Sequence, residues 1–159
     1  MESYMNRISN TGIVPVVKIL EKEDAYPLAK ALLNGGIDVI EVTYRSEHAT
    51  SAIQTISEQL PDMLVGAGTV LSVEQAKEAV EAGAKFIITP GFNTKVVQWC
   101  LDHDVEVYPG VSTASEVEMA LSMGLTQLKF FPAESSGGAK KLKDLSAPYA
   151  NVHFMPTGG

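Results

Sequence analysis

Lys129 stands inside the apolar run Gln127-Leu128-Lys129-Phe130-Phe131, a costly place for an ammonium. A lysine buried there loses solvation, which favours the neutral amine, and a neutral amine near pH 7 is a nucleophile toward ketones. Schiff-base formation is the chemistry this setting permits. A cation that snorkels to the surface, or that pairs structurally with a carboxylate, fits the strand equally well. Glu41 is the natural partner, because it interrupts Ile37-Asp38-Val39-Ile40-Glu41-Val42, a second run unsuited to charge. A carboxylate beside a lysine in a dry interior can shuttle protons, directly or through a water. The alternative is a structural ion pair with Lys129 or Arg45.

Four further groups could hold a substrate. Arg45 carries a planar fork that matches a carboxylate, although a loop salt bridge with Glu47 is open to it as well. Thr69 closes Gly66-Ala67-Gly68-Thr69, where small neighbours admit a ligand and the hydroxyl can donate to an anion. Pro90-Gly91 and Pro109-Gly110 follow strands, and turn chemistry explains them first, with a pocket wall as the second reading. Thr157-Gly158-Gly159 offers backbone amides for an anion. His48, His103 and His153 lack metal-ligand spacing, Cys100 beside Trp99 reads as core, and no G-x-S-x-G occurs.

These groups need elements to position them. Apolar, β-branched runs at Ile13-Val17, Val39-Val42, Leu64-Ala67, Phe86-Thr89, Glu106-Tyr108, Leu128-Phe131 and Val152-Met155 predict seven strands. Helical patterns lie between them at Ala25-Asn34, Ala49-Gln59, Val73-Ala82, Lys95-Leu101, Ser115-Met123 and Ala139-Leu145. Ser72 to Gln75 and Thr113 to Glu116 have the capping-box pattern, and Gly35, Gly83 and Gly124 fall where helices should stop. Strict alternation of this kind means an α/β fold with a parallel sheet. A doubly wound dinucleotide domain would want G-x-G-x-x-G, which Gly66 to Leu71 begins and then breaks. In a (β/α)8 TIM barrel, alternate strand residues face the interior and polar ones gather at the C-terminal mouth. Val39, Glu41 and Thr43 share one parity, as do Val65, Ala67 and Thr69, and Gln127, Lys129 and Phe131. The barrel is the better expectation. A barrel of this type commonly needs roughly 200 residues or more. The reading is therefore a single barrel domain over 1–159, C-terminally incomplete with about seven strands, which would not fold as an isolated monomer.

The bulk properties exclude other classes. A net charge of −7 over 159 residues opposes a nucleic-acid-binding role. Lys140, Lys141 and Lys143 read as a solvated helix face, with guidance of an anionic substrate as the lesser alternative. No run is long enough for a membrane span, the start lacks a signal-peptide pattern, and one cysteine cannot form an internal disulfide. A cytoplasmic protein is expected.

Five segments in order resemble one family. They are Glu41-Val42-Thr43-Tyr44-Arg45, Val65-Gly66-Ala67-Gly68-Thr69-Val70-Leu71, Pro109-Gly110-Val111-Ser112-Thr113, Leu128-Lys129-Phe130-Phe131-Pro132-Ala133-Glu134 and Pro156-Thr157-Gly158-Gly159. The set resembles the bacterial 2-keto-3-deoxy-6-phosphogluconate (KDPG) / 4-hydroxy-2-oxoglutarate aldolases over essentially the whole chain. The resemblance implies a class I aldolase in which Lys129 forms the Schiff base and Glu41 is the general acid/base. It further implies that Arg45 and Thr69 hold a pyruvate carboxylate, and that Thr157, Gly158 and Gly159 line the phosphate end. A cytoplasmic homotrimer with no metal or other cofactor is implied, acting on a small 2-keto acid and on neither nucleic acid nor membrane. Tyr44 and Ser46 depart from the family pattern beside Arg45, and the family's glycine-serine phosphate loop has no counterpart. An aldolase for the phosphogalactonate analogue, a phosphate-binding barrel isomerase or synthase, and an inactive fragment or assembly subunit are the alternatives.

Overall fold

The computed structural model describes residues 4–158. Its elements are α1 (Tyr4–Thr11), β1 (Val16–Val17), a 3-10 turn (Lys22–Asp24), α2 (Ala25–Asn34), β2 (Val39–Thr43), α3 (Ala49–Gln59), β3 (Leu64–Gly68), α4 (Val73–Glu81) and β4 (Phe86–Ile88). They continue as α5 (Thr94–Asp102), β5 (Glu106–Tyr108), β6 (Gly110–Val111), α6 (Ala114–Ser122), β7 (Gln127–Phe130), α7 (Gly138–Ser146) and β8 (His153–Pro156). Every strand pairing is parallel. One sheet runs β1-β2-β3-β4-β5 and the other β6-β7-β8.

The predicted helices stand within a residue of their expected limits, and α4, α5 and α6 begin at local side-chain caps. Ser72 Oγ accepts from Gln75 N at 3.2 Å, and Thr113 with Glu116 forms a full capping box. Gln75 instead turns its side chain to Leu71 N, so the first box is only half made. After α2 the left-handed residue is Gly36 (φ 83°), not Gly35. Two further readings are corrected. Helix α1 was not foreseen, and Pro109-Gly110 is no turn. Gly110 starts β6 and pairs with Lys129 of β7, while β5 pairs with β4. A proline has no N–H for a ladder, so the run passes from one sheet to the other at Pro109, whose carbonyl accepts from Lys129 N.

Alternation along the strands divides the core into two layers. Ile40, Val42, Val65, Ala67, Ile87 and Val107 pack outward against Ala29, Ile53, Ala76, Val97 and Cys100 of the helices. Leu128 and Phe130 do the same against Val117, Ala120 and Leu145. Val39, Leu64, Phe86, Ile88 and Tyr108 meet in a separate interior cluster, joined by Ile8 of α1 and by Met155 of β8. Burying each such side chain stabilises by about 1.5–3 kcal/mol, so slipping any strand by one residue would be costly. On β3 the interior positions are Leu64, Gly66 and Gly68. The expected inward face of Val65 and Ala67 is therefore off by one, since both are packed into the helix layer.

Candidate active site

The interior layer is apolar at its base and polar higher up. Val39 and Glu41 are successive inward residues of β2, and Glu41 is registered with Gly66 on β3. A Cβ on Gly66 would overlap the ring of Phe86, and one on Gly68 would overlap the Glu41 carboxylate. The two glycines thus leave room for a large ring and a bent acid. That pair was legible only as small neighbours of Thr69; its use depends on what lies across the sheet.

Lys129 rises from β7 in the other sheet and meets Glu41 across the interior, Nζ to Oε1 at 3.4 Å. Both are buried, with 5% of Lys129 and 2% of Glu41 exposed. Burial raises the Glu41 pKa from its ordinary value; attraction and hydrogen bonding from Lys129, then attraction from Arg45, oppose that rise. The acid thus keeps its proton to higher pH than a solvated glutamate. A cavity of about 480 Å³ reaches the pair between β1 and β8, lined in part by Val16, Glu41, Lys129, Met155 and Thr157. Met5, Ile8 and Ser9 of α1 form part of the same wall. The Phe131 ring lies 5.4 Å from Lys129 Nζ, centroid to nitrogen. Phe131 was given no role from sequence, although it shares the parity of Lys129 two residues earlier.

The remaining predicted residues lie at the C-terminal ends of parallel strands, and so on one side of the sheets. Arg45 follows β2 and is exposed, and its Nε donates to Thr43 Oγ1 at 3.1 Å. Thr43 is fully buried and its hydroxyl donates in turn to Val17 O at 2.7 Å, which anchors the guanidinium to β1. Thr43 was seen as inward-facing, but not as this link. Thr69 follows β3 with φ 54°, an uncommon backbone for a β-branched residue. Pro90 follows β4, and its carbonyl lies so close to Gly110 that a Cβ there would overlap it. Arg45, Thr69 and Pro90 are not part of the cavity wall around Glu41 and Lys129. Thr157 is part of it, Gly158 lies beside the Phe131 ring, and Gly159 falls outside the described residues.

Other candidates resolve as packing. Cys100 is buried in α5 and burial pushes its thiol up to about 12, so it is inert at neutral pH. His103 stacks on Trp99 with ring centroids 4.5 Å apart. Among the described residues no cluster of His, Cys, Asp or Glu could hold a metal ion, and no helix is long and apolar enough to cross a membrane. Beside Arg45, the Tyr44 hydroxyl meets Thr50 Oγ1 at 3.0 Å, and Ser46 Oγ is buried without a hydrogen-bond partner among the described residues.

Comparison with known proteins shows the family. Residues 4–159 match the family model described as KDPG and KHG aldolase. A 2-dehydro-3-deoxy-phosphogluconate aldolase of Treponema pallidum is 47% identical over 159 residues, all of this chain and 76% of that protein. The KHG/KDPG aldolase of Escherichia coli K12 is 44% identical over 153 residues, 96% of this chain and 72% of that one. Among solved structures, a Legionella pneumophila KDPG aldolase with pyruvate captured as a covalent carbinolamine superposes with a TM-score of 0.89. It is 43% identical, over 92% of this chain and 71% of that chain. A parallel α/β chain with a buried lysine–glutamate pair, matched from residue 4 to residue 159, belongs to the KDPG and KHG aldolase family.

Proposed function

We propose that this chain is a class I aldolase that cleaves KDPG to pyruvate and glyceraldehyde 3-phosphate through a Schiff base on Lys129. Cleavage of 4-hydroxy-2-oxoglutarate to pyruvate and glyoxylate is a second reaction of the same site. The observation that carries this reading is the buried Lys129–Glu41 contact of 3.4 Å.

The neutral Lys129 amine attacks the C2 ketone and gives a carbinolamine. Protonated Glu41 supplies the proton with which the carbinolamine hydroxyl departs as water, leaving a cationic iminium beside the Glu41 carboxylate. The carboxylate then takes the C4-hydroxyl proton, the C3–C4 bond breaks, and its electron pair flows into the iminium. The aldehyde leaves and a neutral enamine remains. Glu41 returns its proton to C3, and water hydrolyses the restored iminium to pyruvate and free Lys129. A glutamate whose pKa is raised by burial suits both halves of this cycle, since both its forms are within reach near neutral pH. Arg45 and Thr69 hold the pyruvate carboxylate, and that fixed pose orients the ketone for attack. Pro90 shapes the wall opposite Gly110. Thr157, Gly158 and Gly159 take the distal end of the substrate.

The two sheets form parts of one (β/α)8 barrel domain on this reading, because Glu41 and Lys129 meet from separate sheets across a shared interior. The reading also makes the protein a cytoplasmic homotrimer. Exposed Leu20 (62%) and Leu71 (58%) supply apolar surface for contact between copies. A single species three times the 17.0 kDa chain mass in light scattering is expected, and a lone monomer peak counts against it. The reaction is tested by following pyruvate release from KDPG, 2-keto-3-deoxy-6-phosphogalactonate and 4-hydroxy-2-oxoglutarate. Turnover should be fastest with KDPG and abolished in Lys129→Ala; turnover that survives the alanine variant rules the reading out.

A further inference from the structure

Phe131 follows β7 directly, two residues beyond Lys129 and on the same parity, and its position is tightly fixed. Its N–H donates to Val111 O at 3.2 Å. The chain after β8 is laced to the chain after β7 by Thr157 N to Phe130 O (3.0 Å), Ala133 N to Thr157 O (2.8 Å) and Glu134 N to Gly158 O (2.8 Å). Gly158 is thereby pressed against the ring. A Cβ on it would stand 3.3 Å from Phe131 Cδ2 and Cε2, tight for a carbon contact, and its φ of 92° excludes most other residues. The ring is held at 5.4 Å from Lys129 Nζ, inside the range of about 6 Å over which a π face attracts a cation.

The nitrogen beneath that ring changes charge during the proposed reaction. It is neutral in the carbinolamine, cationic in the iminium and neutral again in the enamine. Glu41 is the only carboxylate in contact with it among the described residues, and burial lets Glu41 hold a proton, whereupon its attraction lapses. The quadrupole of an aromatic ring does not titrate.

We propose that Phe131 is an electrostatic partner of the reacting nitrogen, favouring the cationic iminium over the neutral carbinolamine at every protonation state of Glu41. Gly158 is its positioning residue, acting on the lysine only through the ring. This inference rests on the Schiff-base reading of Lys129 and adds a separate claim about what sets the iminium's share.

Borohydride reduces the iminium and leaves the carbinolamine untouched, so the initial rate at which Lys129 is trapped with saturating pyruvate reports the iminium's share. Phe131 is replaced by mono-, tri- and pentafluorophenylalanine, which keep the shape of the ring while weakening its negative face stepwise, and by leucine. The initial trapping rate should fall in order along the fluorinated series, by about threefold to thirtyfold at the pentafluoro end, with Phe131→Leu at or below that level and Phe131→Trp near wild type. Equal trapping across the fluorinated series overturns the proposal, whether or not Phe131→Leu is impaired, because only packing would then matter. Absence of trapping in the wild-type protein removes the Schiff-base reading itself, and this inference with it.

Discussion

Glu41 and Lys129 are expensive to place because both are buried, and the proposed function rests on that burial. A charge inside an apolar strand is visible in sequence, and both were found that way. Thr43, Gly68 and Phe131 were not: Thr43 acquires its use from Val17 and Gly68 from Glu41, both distant in the chain, while Phe131 stands only two residues from Lys129 and reads there as one more apolar strand residue. If Glu41 is the proton shuttle, as proposed, replacing it by Gln should lower kcat by about 10²- to 10⁴-fold. The pH profile gives the sign. Burial raises the Glu41 pKa above 4.5, so the carboxylate needed to take the C4-hydroxyl proton is lost as pH falls through that raised value. Wild-type kcat should therefore show an acidic limb above the ordinary carboxylate range, and Glu41→Gln should lack it. A limb that persists in the variant belongs to another group. Arg45→Lys keeps the charge but loses the fork and the Nε bond to Thr43, so KM should rise about 10- to 100-fold with a smaller change in kcat. An unchanged KM would take Arg45 out of carboxylate binding.

At the scale of elements, register is what brings these residues together. Gly68 stands on the interior face of β3 because Leu64 belongs to the interior cluster and parity does the rest. Gly68→Ala should drive the Glu41 carboxylate away from Lys129, and a displacement of that order costs about 10²-fold in turnover. Near-wild-type turnover would mean that the acid's placement is not critical. The starts of α4 and α6 were legible because their caps are local. The parity of β3 was misread, because Val65 and Ala67 are as apolar as an interior residue and a glycine gives no hydropathy signal at all. Helix α1 was invisible because its anchor is distant. Arg7 Nε pairs with Asp38 Oδ2 at 2.7 Å, and Thr11 Oγ1 donates to Asp38 Oδ1 at 2.5 Å. The Thr11 bond above all holds the Asp38 pKa below 3.8; burial, the next largest effect, opposes it, and the Arg7 hydrogen bond and charge add to the lowering. A depressed carboxylate contributes stability above its unfolded pKa and loses it as pH falls through the lower folded value. Asp38→Asn should thus narrow the stability gap between pH 7 and pH 3, seen as a smaller difference in Tm between those two values. An unaltered pH dependence would show that the charge on Asp38 does not help to hold α1.

For the molecule as a whole, the alternation of strand and helix announced a parallel α/β fold, and five ordered motifs announced the family. The handover between sheets at Pro109 was not legible, since a proline followed by glycine reads locally as a turn. The encounter of Glu41 with Lys129, 88 residues apart, was anticipated because each is a charge inside an otherwise apolar strand, although no local pattern encodes its distance. What the fold does with that encounter is the central claim, and one measurement addresses it directly. The protein is incubated with pyruvate, reduced with borohydride, digested and mapped by mass spectrometry. Formation of a pyruvate-derived secondary amine on Lys129, stoichiometric in wild type and absent from Lys129→Met, is the predicted result. A folded protein that carries no adduct, or carries it on Lys140 or another lysine, would contradict the account.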